Sequence, residues 1–449
     1  MSIAPTRPEP VSFWQALHFW LKLGFISFGG PAGQIAIMHT ELVERRRWIS
    51  EKRFLHALNY CMLLPGPEAQ QLSPYIGWLM HRTRGGLVAG VLFVLPSLFI
   101  LIALSWIYIA FGEMPLVAGL FYGIKPAVTA LVLHAAHRIG SRALKNGWLW
   151  GIAAAAFVAI FALDAPFPLV VLLAAVIGHF GGQYAPQVFA IGGGHAAAKQ
   201  SYGPALIDDD TPTPSHARFK RSRLAQVLAL GLGIWLVAMA LLVLSYGFEG
   251  TLTQMGWFFT KAALLTFGGA YAVLPYVYQG AVEQHQWLSA AQMIDGLALG
   301  ETTPGPLIMV VAFVGFVGGW AKQVFGPDAL FLAGAAAACV VTFFTFLPSF
   351  IFILAGGPLI ESTHGNLRFT APLTAITAAV VGVILNLAMF FAYHVLWPQG
   401  FTGRFDWVSA LIAVGAALAL FRFKLGVIPL LGLCALIGLG VALLPDLLT

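Results

Sequence analysis

Phe28-Gly29-Gly30-Pro31, Trp48-Ile49-Ser50 and Pro65-Gly66-Pro67 follow one another early in this chain, and the blocks return as Phe267-Gly268-Gly269, Trp287-Leu288-Ser289 and Pro304-Gly305-Pro306. Each pair keeps one offset, 239 residues (28 to 267), and Lys22 with Lys261 and Glu44 with Glu283 share it. Leu95-Pro96-Ser97 returns as Leu347-Pro348-Ser349 at an offset of 252, and Ile124, Ala127, Val128 and Leu133 match Ile376, Ala379, Val380 and Leu385 at that offset. The second copy thus carries 13 extra residues between its blocks, around Gly318 to Pro327. Chance does not hold one register across so many features, so the chain is a duplication.

What is duplicated is a membrane protein. Of 449 residues, 59% are apolar and 9% charged, against roughly 25% charged in soluble domains. So few charges cannot cover a soluble globule. The apolar runs are long and unbroken, which argues against a porin-like barrel with its alternating polarity. The net charge of +6 does not point to nucleic acid, because the basic residues sit in clusters beside apolar segments. Cys61, Cys339 and Cys434 are far apart and suggest neither a disulfide framework nor a metal site. No Gly-Lys dipeptide, H-E-x-x-H or G-x-S-x-G occurs, so there is no ATP motor and no common catalytic motif. A transporter without a cofactor is the stronger class, an intramembrane enzyme the weaker.

The fold expected is an all-α polytopic membrane protein with two inverted-topology repeats, broken or re-entrant helices and one extra transmembrane helix between the copies. The first repeat covers 12–182, a polar cytoplasmic linker 183–223, the connecting helix 224–246 and the second repeat 251–446. Inversion is read from charge. Arg45-Arg46-Arg47 and Lys52-Arg53 become Gln284-His285-Gln286 and Ala291-Gln292, so five basic residues turn into none. Lysine and arginine density keeps loops in the cytoplasm, so the two loops belong on opposite sides. The basic runs His81 to Arg84 and Arg138 to Lys145, and the turn at Arg422 and Lys424, fit the same scheme. The N-terminus is then cytoplasmic and the C-terminus periplasmic. The linker, with Asp208-Asp209-Asp210 and Thr-Pro steps at Thr211 and Thr213, reads as a solvated loop that only joins the copies.

The helices break inside the membrane. Residues 54–64 and 68–80 flank Pro65-Gly66-Pro67, and neither run spans a core of about 30 Å. Both outer ends look cytoplasmic, which makes a re-entrant hairpin with the proline-glycine-proline at its tip. Pro67 and Pro306 suit the start of new half-helices, whose free N–H groups and positive dipole ends favour an anion. Gly29 and Gly30 with Pro31, and Gly268 and Gly269, make a second kind of break. Simple packing kinks are the alternative reading. The candidate substrate-binding residues are therefore Gly29, Gly30, Pro65, Gly66, Pro67, Gly268, Gly269, Pro304, Gly305 and Pro306. Lys22, Lys261 and Lys125 join them as cations in apolar segments, where ionisable residues mark function. Snorkelling to the interface is the alternative for Lys22 and Lys261. Glu68 and Glu301, beside the two tips, are proton-coupling candidates; pairing with the helix dipole is the alternative for Glu68.

At these blocks the sequence resembles the chromate ion transporter family in its long, two-domain form. The F-G-G-P/A, W-[IL]-S/D, P-G-P and L-P-S blocks all stand in both copies, and the resemblance covers essentially the whole chain outside the linker. It implies chromate efflux across the bacterial inner membrane and chromate resistance, with chromate and chemically similar sulfate as partners. Sulfate or another oxyanion is the alternative cargo, and a homodimer is left open. Ala270 for Pro31 and Leu307 for Glu68 depart from symmetry, so the two halves need not share one role.

Overall fold

The computed structural model describes residues 7–189, 202–212, 214–267, 269–363 and 370–443. Gly268, Thr213 and linker residues 190–201 lie outside them. Regular structure among the described residues is helical, apart from one parallel bridge between Ile49 and Ile207. The protein is an all-α polytopic membrane protein.

The first repeat opens with short helices α1 (Phe13–Ile26), α2 (Gly30–His39) and α3 (Glu51–Cys61). The long α4 (Glu68–Phe111) follows, then α5 (Pro115–Ala143), α6 (Gly147–Leu163) and α7 (Phe167–Tyr184). A single turn, α8 (Pro186–Phe189), precedes the linker, and α9 (Arg221–Tyr246) is the lone connecting helix. The second repeat runs α10 (Thr251–Leu264), α11 (Ala270–Tyr278), α12 (Ala290–Thr302), α13 (Val310–Ala321), α14 (Leu330–Thr363), α15 (Thr370–Leu396), α16 (Trp407–Phe421) and α17 (Val427–Ala442). With 14, 10 and 11 residues, α1 to α3 are each too short to cross a bilayer, as are α10 to α12 with 14, 9 and 13.

The duplication extends to backbone detail. A π-turn follows α2 at Thr40–Arg45, and its counterpart follows α11 at Gln279–Gln284. Arg47 and Gln286 both take a positive φ, 52° and 51°. Trp48 N–H then donates to Leu42 at 2.8 Å and Trp287 N–H to Ala281 at 2.7 Å. Each buried indole meets a phenylalanine one repeat apart, Phe19 at 5.0 Å and Phe258 at 5.5 Å. Ser50 and Ser289 cap α3 and α12, satisfying an N–H that the first turn leaves free.

Helix α4 is a hairpin. His81 and Arg82 leave helical geometry, with φ +58° at Arg82. Beyond them Gly85 lies so close to Gly77 that a Cβ on Gly77 would sit 2.5 Å from the Gly85 carbonyl. Residues 68–80 are thus a half-helix that folds back on the rest of α4. In the second copy the turn is the longer stretch 322–329, which takes up part of the insertion.

The copies interlock. α5 packs on α15, α16 and α17, and α15 packs in return on α6 and α7. Gly438 of α17 seats against Gly119 and Gly123, and Gly178 of α7 seats against Ala371 and Ala375. Small residues let backbones approach where lipid gives helices no hydrophobic reason to associate. α9 rides on the outside, against α10 and α14, with only Gly231 buried.

The linker is more than a joining loop. Leu206 and Ile207 N–H groups donate to Arg47 and Trp48, at 2.9 and 3.0 Å, and Ser50 N–H returns a bond to Ile207 at 2.9 Å. Asp209 accepts from Ser50 Oγ at 2.8 Å, and Arg53 reaches the Thr211 carbonyl at 2.9 Å. His216 bonds the Trp78 carbonyl at 2.9 Å. Burial and the nearby Arg223 and Arg82 lower the His216 pKa, despite that carbonyl. Within the described part of the linker, Asp209 and His216 thus bind the Trp48 turn and the α4 turn. On either side of it, α7 ends at Tyr184 and α9 starts at Arg221.

Candidate functional site

Gly66 N–H donates to the Thr266 carbonyl at 2.7 Å, and Gly305 N–H donates to the Ser27 carbonyl at 2.8 Å. Ser27 and Thr266 are equivalent, as are Gly66 and Gly305. Each proline-glycine-proline tip therefore ends on the glycine break of the other copy, as a pseudo-twofold axis between the copies requires. The long helices join in the same way. A Cβ on Gly66 would lie 2.5 Å from Ser349 Oγ, and one on Gly305 would lie 2.8 Å from Ser97 Cβ. Ser97 and Ser349 are the serines of the two Leu-Pro-Ser blocks. Three of the repeated motifs thus meet at two matching junctions.

Polar side chains gather at both. Gln34 Nε2 donates to the Ser27 carbonyl at 3.4 Å and also to the Gly305 carbonyl. Gln71 Nε2 donates to the Pro65 carbonyl at 2.7 Å and to Ser349 Oγ at 3.4 Å. Ser27 Oγ, Ser97 Oγ and Gln71 Oε1 are buried without a protein partner, as is the whole amide of Gln70. Buried polar atoms of this kind ask for a polar guest or water. In the second copy the matching groups are satisfied: Thr266 Oγ1 donates to Ala262 at 2.7 Å, and Ser349 Oγ receives Gln71.

Pro67 and Pro306 each stand just before a new helical start, α4 in one case and a 3-10 turn (Leu307–Met309) into α13 in the other. No side chain caps either start. Free N–H groups at a helix N-terminus favour an anion. Pro304, Gly305, Pro306 and Gly269 are buried, whereas Pro65 and Gly30 are half-buried and Gly29 is exposed. Gly66 and Pro67 are buried as well, so each junction has its more open side on the first copy: Pro65 at one, Gly29 and Gly30 at the other.

A family model described as Chromate transporter matches residues 14–179 and 253–439. The chain belongs to that family. It is 32% identical over 430 residues to the chromate transport protein of Pseudomonas aeruginosa, covering 92% of both chains. It is 29% identical over 411 residues to the chromate transport protein of Cupriavidus metallidurans, covering 91% of this chain and 88% of that one. A probable chromate transport protein of Synechococcus elongatus is 28% identical over 374 residues, 83% of each. No solved structure matches.

Within this family member the charged candidates divide. Glu68 opens α4 half-buried, with no hydrogen-bond or ion-pair partner among the described residues, and the charge of Arg142 on α5 acts on it. Glu301 is buried at 7% exposure and accepts a short bond from Tyr271 OH; the charge of Arg138 acts on both. Lys125 does not stand free for an anion, because its Nζ lies 3.3 Å from Asp295 Oδ2, which also accepts from Tyr108 OH at 2.8 Å. Lys22 and Lys261 are exposed, beside exposed Phe25 and Trp257 respectively, and Lys261 Nζ lies 5.8 Å from the Trp257 ring centre. Neither lysine has a hydrogen bond or ion pair to a junction residue among the described residues. Exposed ends beside exposed aromatic rings are also what snorkelling to the interface gives a lysine.

Reading the sequence missed Ser27, Gln34, Gln70, Gln71, Asp295 and Glu361. Asp295 had a signal, an acid nine residues before Pro304 in an apolar run. The glutamines had one as well, since Gln34 and Gln71 stand where the second copy has Val273 and Val310.

Proposed function

We propose that this protein is a secondary transporter that carries chromate across the bacterial inner membrane, as efflux that confers chromate resistance, with no chemistry done on the anion. Membership of the chromate transporter family supports the cargo. The observation that carries the mechanism is the reciprocal pair of backbone bonds, Gly66 to Thr266 and Gly305 to Ser27. A dianion leaving water needs several aligned donors or a cation, and uncapped helix starts beside unpartnered hydroxyl and amide groups provide donors. Because each tip is bonded to the other copy, a shift of one repeat moves both junctions together, which suits alternating access around a central site. Glu68 stands in the first turn after Pro67, so its negative charge and a bound dianion oppose each other. Protonation of Glu68 would relieve that, which couples a proton to the anion.

Purified protein in liposomes should move chromate down an imposed gradient, and everted membrane vesicles should take it up. Chromate left unchanged in valence after passage distinguishes transport from catalysis. Competition by sulfate measures how far the site separates two tetrahedral dianions. No chromate flux in either preparation would overturn the proposal.

A further inference from the structure

The two tips are not equally polar, and Gln70 carries most of the difference. It is the third residue of α4, whose N-cap is Pro67. A glutamine at that position ordinarily reaches back and accepts from the N-cap N–H. This chain does so twice. Gln15 Oε1 accepts from Ser12 N–H at 2.9 Å, and Gln292 Oε1 accepts from Ser289 N–H at 2.8 Å. Proline has no N–H, so Gln70 is denied that partner by the motif itself. It is 0% exposed, and neither its Nε2 nor its Oε1 has a partner. Cα–Cβ bonds in a helix tilt toward the N-terminus, and Gln70 itself belongs to the first turn of α4. There the N–H groups of Glu68, Ala69 and Gln70 have no acceptor within the helix.

The second copy offers nothing comparable. Leu307, Ile308 and Met309 occupy the matching positions, buried in a 3-10 turn. Gln71 strengthens the contrast. Its Nε2 is committed to Pro65 and Ser349, so it fixes the shape of the tip and leaves the Gln70 amide as the free donor.

We propose that Gln70 is a substrate-binding residue of the first repeat alone: its amide N–H group, with the free first-turn N–H groups of α4, hydrogen-bonds an oxygen of a tetrahedral oxyanion. This rests on the transport reading above. Neutral donors hold such an anion without the strong attraction of a fixed cation, so it can also leave, as conduction through a binding site requires.

Gln70→Met keeps the side-chain length and removes both polar atoms. In everted vesicles it should raise the KM for chromate about 10- to 100-fold, as loss of a hydrogen bond to a charged group implies. The maximal rate and the amount of folded protein should be kept. Met309→Leu at the other tip should leave KM unchanged. An unchanged KM in Gln70→Met, with the parent active, overturns the inference and leaves the transport reading standing. If the parent shows no chromate uptake, or Gln70→Met does not reach the membrane, a second measurement decides. Sulfate should raise the thermal unfolding midpoint of the detergent-purified parent, and about tenfold more sulfate should be needed for the same rise in the purified Gln70→Asn variant. An equal response to sulfate in the two overturns it.

Discussion

The Arg53 guanidinium meets the Glu361 carboxylate at 2.6 Å, and the Tyr75 hydroxyl donates to the other oxygen of the same carboxylate at 2.6 Å. Arg53 also holds the Thr211 carbonyl. One carboxylate near the end of α14 therefore ties the second repeat to α3 and α4 of the first, and through Arg53 to the linker. The Glu361 side chain is 2% exposed, so its polar contacts are with these partners and not with water.

Arg53→Met should accordingly be strongly destabilising. Removing one member of a buried pair leaves an uncompensated charge, at a cost of about 3–5 kcal/mol. Thermal unfolding of the detergent-purified protein should fall clearly below the parent, and adding Glu361→Gln should recover most of the loss. A single variant that melts with the parent would mean that the tie is slack.

The tip glycines are the next test. Gly66 and Gly305 take φ +131° and +102°, a region that costs a residue with a side chain about 1–3 kcal/mol. A Cβ on Gly66 would also lie 2.4 Å from Gln71 Nε2, the group that shapes the tip. Gly66→Ala and Gly305→Ala should each reduce chromate uptake at least about tenfold while protein stays in the membrane. Gly233→Ala, in α9 with nothing near its Cβ, should match the parent. Full activity in both tip variants would remove the junctions from the mechanism.

The duplication, the breaks and the α4 hairpin were legible because motif, spacing and proline chemistry are local properties. The π-turns and the Trp48 and Trp287 contacts repeat at the offset read from the letters alone. Partner choice was not local. Arg53 finds Glu361, Lys125 finds Asp295, and Asp209 finds Ser50 across large stretches of chain, so no periodicity announces them. The same limit explains Lys22 and Lys261. An apolar segment shows that a lysine is in a membrane helix, but neighbours on other helices decide which face it occupies. Gln70 was hidden for a different reason: its importance lies in a capping bond that Pro67 makes impossible.

Loop orientation tests the inverted arrangement. Single cysteines at Arg46 and at His285, equivalent positions beside Trp48 and Trp287, should be labelled by an impermeant thiol reagent from opposite sides of the membrane. Arg46 covers the Phe19 ring at 5.0 Å and the Trp48 ring at 5.3 Å, and His285 stacks on Trp287 at 4.5 Å, so both sites report the same structural position. Labelling of both from one side would rule out inverted repeats.

The lysines separate by their surroundings, and the last prediction follows from that. Lys125 faces Asp295, whose side chain is 3% exposed and whose Oδ1 has no partner. Lys125→Met leaves a buried carboxylate with Tyr108 alone, so folded protein and chromate uptake should both fall, uptake by about tenfold or more. Lys125→Met with Asp295→Asn removes both charges and should restore folding. Restored folding without restored uptake would assign the pair to transport; recovery of both would assign it to structure. Lys22→Met and Lys261→Met change exposed ends on the outside of α1 and α10, where a lost charge costs little. Their uptake should stay within about twofold of the parent. A large drop in KM-limited uptake for either, with normal protein levels, would put an anion-attracting charge on those faces and contradict the assignment of the seat to Gln70 and the first turn of α4.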